Sequence, residues 1–164
     1  MSATVKLLFD ECIPRPLVDQ LKDCADPGIS SGIDIKHFLE LWPGGVPDER
    51  WVPRLIADGW LVISGDDGRK PNKNRGRKLP QLCVENRISL IVLSPAVHRR
   101  KKPNKLLTIL SVWNEIIEIL LNPVKCGNRY MIEPLEQGDD LNRGRITERY
   151  IRTQSPEPMP PDTA

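Results

Sequence analysis

With 164 residues, 39% hydrophobic and 28% charged, the chain is long enough for one packed domain and short for two. No run approaches the ~20 apolar residues that cross a bilayer. The opening MSATVKLLFDE lacks the basic-then-apolar pattern of a secretory signal, so the expected location is cytoplasmic. Cys12, Cys24, Cys83 and Cys126 stand singly, with only two histidines in the chain, which argues against a zinc site. The net charge of +2 conceals an uneven distribution. Residues 69–78 (RKPNKNRGRK) carry six cations and residues 99–105 (RRKKPNK) carry five, with no acid in either. Those eleven come from a total of 24, so the remainder has 13 cations against 22 acids, a net of −9. Such polarity suits a polyanion-binding face beside a carboxylate-rich site.

In chain order, VKLLF (5–9) reads as a buried strand ending on Asp10. Prolines 14 and 16 suit a helix entry, and Leu17, Val18, Leu21 and Cys24 give that helix an apolar face. A second strand is predicted over 33–38, followed by the turn-rich WPGGVP. Asp48 opens a helix running to about Asp58, with Gly59 as its left-handed stop. WLVIS (60–64) is a third buried strand, ending on Gly65-Asp66-Asp67-Gly68. After the first basic segment come a short helix over 79–87, a fourth strand over 89–94, the second basic segment and an apolar helix over 105–121. Continuous apolar strands alternating with helices predict an α/β fold with a mostly parallel sheet covered on both faces. Segments 130–133 and 145–151 flank a polar turn and read as an edge hairpin. The expected organisation is one domain over 1–122, an extension over 123–154 and a proline-rich disordered tail over 155–164.

In parallel α/β sheets ligands bind beyond the carboxyl ends of the strands. Asp10 and Glu11 end the first strand, Asp66 and Asp67 end the third, and Asp48 stands at a helix start. Gathered carboxylates repel one another. A hard divalent cation, Mg²⁺ or Mn²⁺, relieves that repulsion and can activate water against a phosphodiester. Bland alternatives stand beside this reading. Asp48 would equally serve as a helix N-cap, Asp66-Asp67-Gly68 as a plain turn, and Glu11 as a solvated neighbour. His37 and His98 lack catalytic partners at a recognisable spacing and are expected in solvent or loops.

LLFDECIP, then GGVPDERW at a helix start, then LVISGDD resemble the PIN-like nucleases, and most closely the short branch related to PIN-domain toxins of toxin–antitoxin systems. The resemblance extends over about residues 5–122. It implies a three-layer PIN-like fold and a Mg²⁺/Mn²⁺-dependent endoribonuclease, with Asp10, Asp48 and Asp66 as catalytic metal ligands and Asp67 as a fourth. It also implies RNA as substrate and a cognate antitoxin protein as partner, and leaves a homodimer open. PIN domains often carry a further acid after the next strand, where this chain has Ser94-Pro95-Ala96. Arg69, Lys70, Lys73, Arg75, Arg77, Lys78, Arg99, Arg100, Lys101 and Lys102 are the cations expected to meet RNA phosphates without reading sequence.

Two rival readings remain. One is a catalytically silent PIN-like protein that binds RNA or a partner. The other is a phosphoacceptor receiver domain, with Asp10-Glu11, Asp66 and Ser94 in the acidic and hydroxyl positions; against it, no fifth parallel strand ending in Lys-Pro is evident.

Overall fold

The computed structural model describes residues 5–24, 33–66, 78–122, 127–135 and 142–149. Six strands form one sheet: β1 (Val5–Phe9), β2 (Ile33–His37), β3 (Trp60–Ser64), β4 (Ser89–Leu93), β5 (Arg129–Pro134) and β6 (Gly144–Arg149), in the order β2-β1-β3-β4-β5-β6. All neighbours pair in parallel except β5 with β6, which are antiparallel. The α/β architecture with a mostly parallel sheet flanked by helices is therefore as the sequence indicates.

Strand residues alternate between two cores because successive side chains point to opposite faces. Leu7, Phe9, Leu61, Ile63, Ile91 and Leu93 face one side and pack against α1 (Arg15–Cys24), α6 (Lys102–Ser111) and α7 (Trp113–Leu121). Leu8, Val62, Leu90 and Val92 face the other, against Phe38 of α2 (Phe38–Leu41), Trp51 of α3 (Asp48–Trp51) and Leu79, Leu82 and Cys83 of α4 (Leu79–Glu85). A further short helix, α5 (Pro95–His98), follows β4. Burial on both faces explains why these strands read as unbroken apolar runs.

Several boundaries differ from the sequence reading, each for a local reason. The helix from Asp48 changes to a 3-10 helix over Val52–Asp58, where Pro53 supplies no N–H donor; Gly59 then stops it at φ 67°. The helix expected over 105–121 is two helices broken at Val112. Just before the break, Ser111 Oγ donates to the Thr108 carbonyl at 2.7 Å and competes with the helical ladder. Cys24 is exposed rather than on the apolar face of α1. The expected edge hairpin is present as β5 and β6; β5 also pairs in parallel with β4, carrying Tyr130 and Ile132 into the main core, and it ends on Glu133-Pro134 with no Lys-Pro.

His37 is neither solvent-exposed nor in a loose loop: it is 1% exposed. Its Nδ1 accepts from Leu39 N–H at 3.1 Å, capping α2, so Nε2 is the donor to the Ile13 carbonyl at 2.7 Å. Glu40 returns to the His37 N–H and pairs with Lys22 at 2.9 Å, fastening β2 to α1. Among the described residues no helix is long and apolar enough to cross a membrane.

Candidate active site

Strand order reverses direction around β1, whose neighbours are β2 on one side and β3 on the other. The loops leaving β1 and β3 lead to helices on opposite faces, and this divergence opens a crevice at their carboxyl ends. Asp10 and Asp66 arrive there directly. The Asp10 N–H donates to the Ile63 carbonyl at 2.9 Å, extending the ladder one residue past β1 and fixing the aspartate's backbone.

The Asp10 side chain is 8% exposed and held on every side. Oδ1 accepts from Glu11 N–H at 2.7 Å, and Oδ2 accepts from the Ser64 hydroxyl at 2.7 Å. Ser64 in turn accepts from Asp66 N–H at 2.9 Å, so one fully buried hydroxyl couples the two acid-bearing loops. The Cys12 sulfur lies 3.4 Å from Ser64 Oγ and accepts from Gly65 N–H at 3.1 Å. Although part of Cys12 is exposed, its sulfur is enclosed by these groups; loss of hydration, with the Asp10 charge, pushes the thiol up to about 11. Cys12 is therefore a packing and hydrogen-bonding group and not a ready nucleophile.

Asp48 reaches the crevice from α3. Pro47, not Asp48, is the N-cap residue, and the Asp48 carboxylate instead accepts from the Trp51 indole at 3.0 Å. Trp51 is fixed by Phe38 and Trp42, with ring centroids 5.4 and 5.8 Å away. Glu11 is exposed, as a solvated neighbour would be, and also serves as a tether: both its carboxylate oxygens accept from Gly45 N–H, at 3.1 and 3.2 Å. That contact holds the turn-rich loop that delivers Asp48.

Electrostatics couple these groups. Burial raises the Asp10 carboxyl above the ordinary aspartate value, the Asp66 charge adds to the rise, and the hydrogen bonds from Ser64, Glu11 and Cys12 oppose it. Burial pushes Asp48 up to about 6, helped by the charges of Asp10, Asp66 and Glu11 and opposed by the Trp51 hydrogen bond. Three segments thus bring carboxylates into mutual repulsion at the one edge where this topology forms a crevice. Among the described residues no three or more His, Cys, Asp or Glu side chains close into a ready-made metal shell. The donor set still suits Mg²⁺ or Mn²⁺, since these hard cations take oxygen ligands from one or two carboxylates and complete their shell with water.

Two contributors were missed in the sequence. Ser64 carried a signal, a hydroxyl at the last position of an apolar strand. His98 carried none: only the fold brings its ring against Gly65, where an added Cβ would lie 2.5 Å from its Cε1 and Nδ1. Its expected loop role is replaced by packing on the acid-bearing turn. Asp67, Arg69, Lys70, Lys73, Arg75 and Arg77 lie outside the described residues. Lys78 is exposed just before α4, Arg99 and Lys101 are exposed between α5 and α6, and Lys102 is exposed at the start of α6. Arg100 acts as a brace, donating to Thr108 Oγ1 at 2.6 Å and to the Arg143 carbonyl at 3.2 Å. Lys105, the last cation of that segment, is 6% exposed, and burial holds its ammonium below the usual lysine range.

The strand order is one that receiver domains share, so topology alone does not separate the rivals. Residues 5–77 match the family of PIN-like domains, typically a nuclease fold. No curated protein and no solved structure matches the chain. The matched segment runs from β1 through β3 and contains Asp10, Asp48 and Asp66, and this match, together with the architecture, supports a PIN-like domain family.

Proposed function

We propose that the protein is a Mg²⁺- or Mn²⁺-dependent endoribonuclease acting on cytoplasmic RNA, with Asp10, Asp48 and Asp66 holding the cation and Asp67 as a fourth member. The observation that carries this reading is the convergence of carboxylates on the β1/β3 crevice, with Asp48 pushed up to about 6. Such repulsion destabilises a fold unless an ion or substrate relieves it, and strain of this kind concentrates at functional sites. A bound divalent cation would supply charge neutralisation and an activated water at the phosphodiester. The chain's own residues supply positioning. Ser64 fixes the Asp10 carboxylate, Trp51 fixes Asp48, and Glu11 holds the loop before α3.

The cations of the two basic segments would meet RNA phosphates. A toxin role, with an antitoxin protein covering the acidic crevice or the basic loops, rests on the resemblance to PIN-domain toxins, as does a homodimeric assembly. A silent RNA- or partner-binding protein is the second reading, favoured by one observation: β4 is followed by Ser94, which caps α5 by accepting from Val97 N–H at 3.3 Å, where many PIN domains carry a further acid.

Incubating the purified chain with assorted RNAs in Mg²⁺, Mn²⁺ or EDTA tests these readings. Cleavage in either metal and none in EDTA is expected. RNA binding without cleavage in any condition would favour the silent protein, and cleavage undiminished by EDTA would remove the role given to the carboxylates.

A further inference from the structure

The carboxyl edge of the sheet continues past the acids. Beyond β4 and β5, an open hollow of about 530 Å³ is lined by Ser94, Pro95, Ala96, Arg99, Glu133 and Arg145, a size within the range of ligand sites. Its far wall is firmly built. Arg100 ties the Arg143 carbonyl to Thr108 of α6, and Gly144 N–H donates to Ser111 Oγ at 3.1 Å. Gly144 has no room for a side chain: a Cβ there would lie 2.9 Å from Thr108 Cγ2 and 3.0 Å from the Glu133 carbonyl oxygen. The start of β6 is thereby clamped onto α6 and presents Arg145 to the hollow.

The charge of the hollow is positive. Glu133 is bridged by Arg145 at 3.5 Å and also by Arg149, so one carboxylate meets two guanidiniums. Arg99 is exposed and makes no side-chain hydrogen bond or ion pair among the described residues. A second hollow, of about 440 Å³, offers a contrast: its lining includes Glu49 and Glu85 and no cation, so it would repel a phosphate.

Position links the basic hollow to the acids. The start of α5 lines it, while His98 at the other end of that single turn packs on Gly65, between Ser64 and Asp66. From the β1/β3 gap to the β4/β5 gap is two strand spacings, about 10 Å, a reach that a neighbouring nucleotide spans.

We propose that this hollow is a subsite for a flanking nucleotide of a single-stranded nucleic acid, with its phosphate received by Arg99 and Arg145. The strand would then lie along the carboxyl edge, from the acids toward β6. Guanidinium forks match phosphate oxygens two at a time, and the Glu133 bridge preorients Arg145 without neutralising the pair. This inference rests on the nuclease reading for which bond is cut, but the subsite itself is tested by binding alone.

The test is fluorescence anisotropy of a labelled single-stranded RNA with the full chain in EDTA, read across a salt series. Arg99→Ala is expected to lower the magnitude of the log–log salt slope by about 0.7, and Arg99→Ala/Arg145→Gln by about 1.4, with affinity down about tenfold or more. The single variant removes only an exposed, unbonded side chain, so it remains informative if freeing Glu133 disturbs the double variant. Unchanged slope and affinity in both variants would overturn the proposal. So would arginine-dependent capture of a poly-glutamate peptide with no RNA binding, which would make the hollow a protein-docking site. Arginine-dependent RNA binding in a chain that cleaves nothing would support the subsite and sink the nuclease reading. Cleavage with arginine-independent binding would do the reverse.

Discussion

Asp10→Asn is expected to lose RNA cleavage by about a hundred- to a thousandfold, the scale on which removing one preorganised charged or polar group from an active site acts. The same variant should be no less stable than the wild type. Its carboxylate is buried, raised above the ordinary aspartate value by that burial, and repelled by Asp66. Asparagine keeps the shape: its oxygen can still accept from the Glu11 N–H and its amide can donate to Ser64 Oγ, while the charge repulsion disappears. Losing activity without losing stability is the signature of a residue retained for function against the interest of the fold. Cleavage rates and thermal midpoints measured side by side check this. Wild-type cleavage in the variant would remove Asp10 from the mechanism, and a large fall in midpoint would make it a structural residue.

The second large effect is a pH dependence of stability governed by Asp48. Its carboxyl is pushed up to about 6 from an ordinary 3.8. Between those values the folded chain binds a proton more tightly than the unfolded chain. Stability attributable to this group therefore falls as pH rises from about 4 to 6, and the loss is complete above 6. Two pH units correspond to roughly 3 kcal/mol. Asp48 is only half-buried, and solvent screening reduces the expected effect to about 1–2 kcal/mol. Asp48→Asn should match the wild type near pH 4 and exceed it by that amount at pH 7. Saturating Mg²⁺ should recover much of the same stability in the wild type, because a cation favours the ionised acids. Denaturant midpoints across this range decide it: profiles that run parallel at every pH would show that burial and neighbouring charge do not raise the Asp48 carboxyl.

Much of this arrangement is legible in the sequence because burial on both faces of a parallel sheet leaves unbroken apolar runs. VKLLF, WLVIS and SLIVL fall within a residue of their observed limits, and the acids that follow the first two stand where ligands of such sheets bind. What the sequence hides depends on contacts between distant segments. Pro53 and Ser111 interrupt helices through single hydrogen bonds, which apolar periodicity does not register. β5 has only three buried residues, Tyr130, Met131 and Ile132, so it is legible as part of a hairpin but not as a strand that also pairs in parallel with β4. The histidines differ for the same reason: His37 is locked by a carbonyl 24 residues away, and His98 meets Gly65 from another strand's loop. Ser64 is the instructive case. Its position was visible, but its role as the hydroxyl joining Asp10 to the Asp66 backbone exists only once β1 and β3 are neighbours.

The most direct test of the central claim, that carboxylates from β1, α3 and β3 act as one divalent-cation site, is calorimetric titration of Mn²⁺ into the full chain at pH 7.5. Saturable binding is expected in the wild type, with loss or severe weakening in each of Asp10→Asn, Asp48→Asn and Asp66→Asn. Equal Mn²⁺ binding by the wild type and all three variants, or no binding by the wild type at millimolar Mn²⁺, would contradict it.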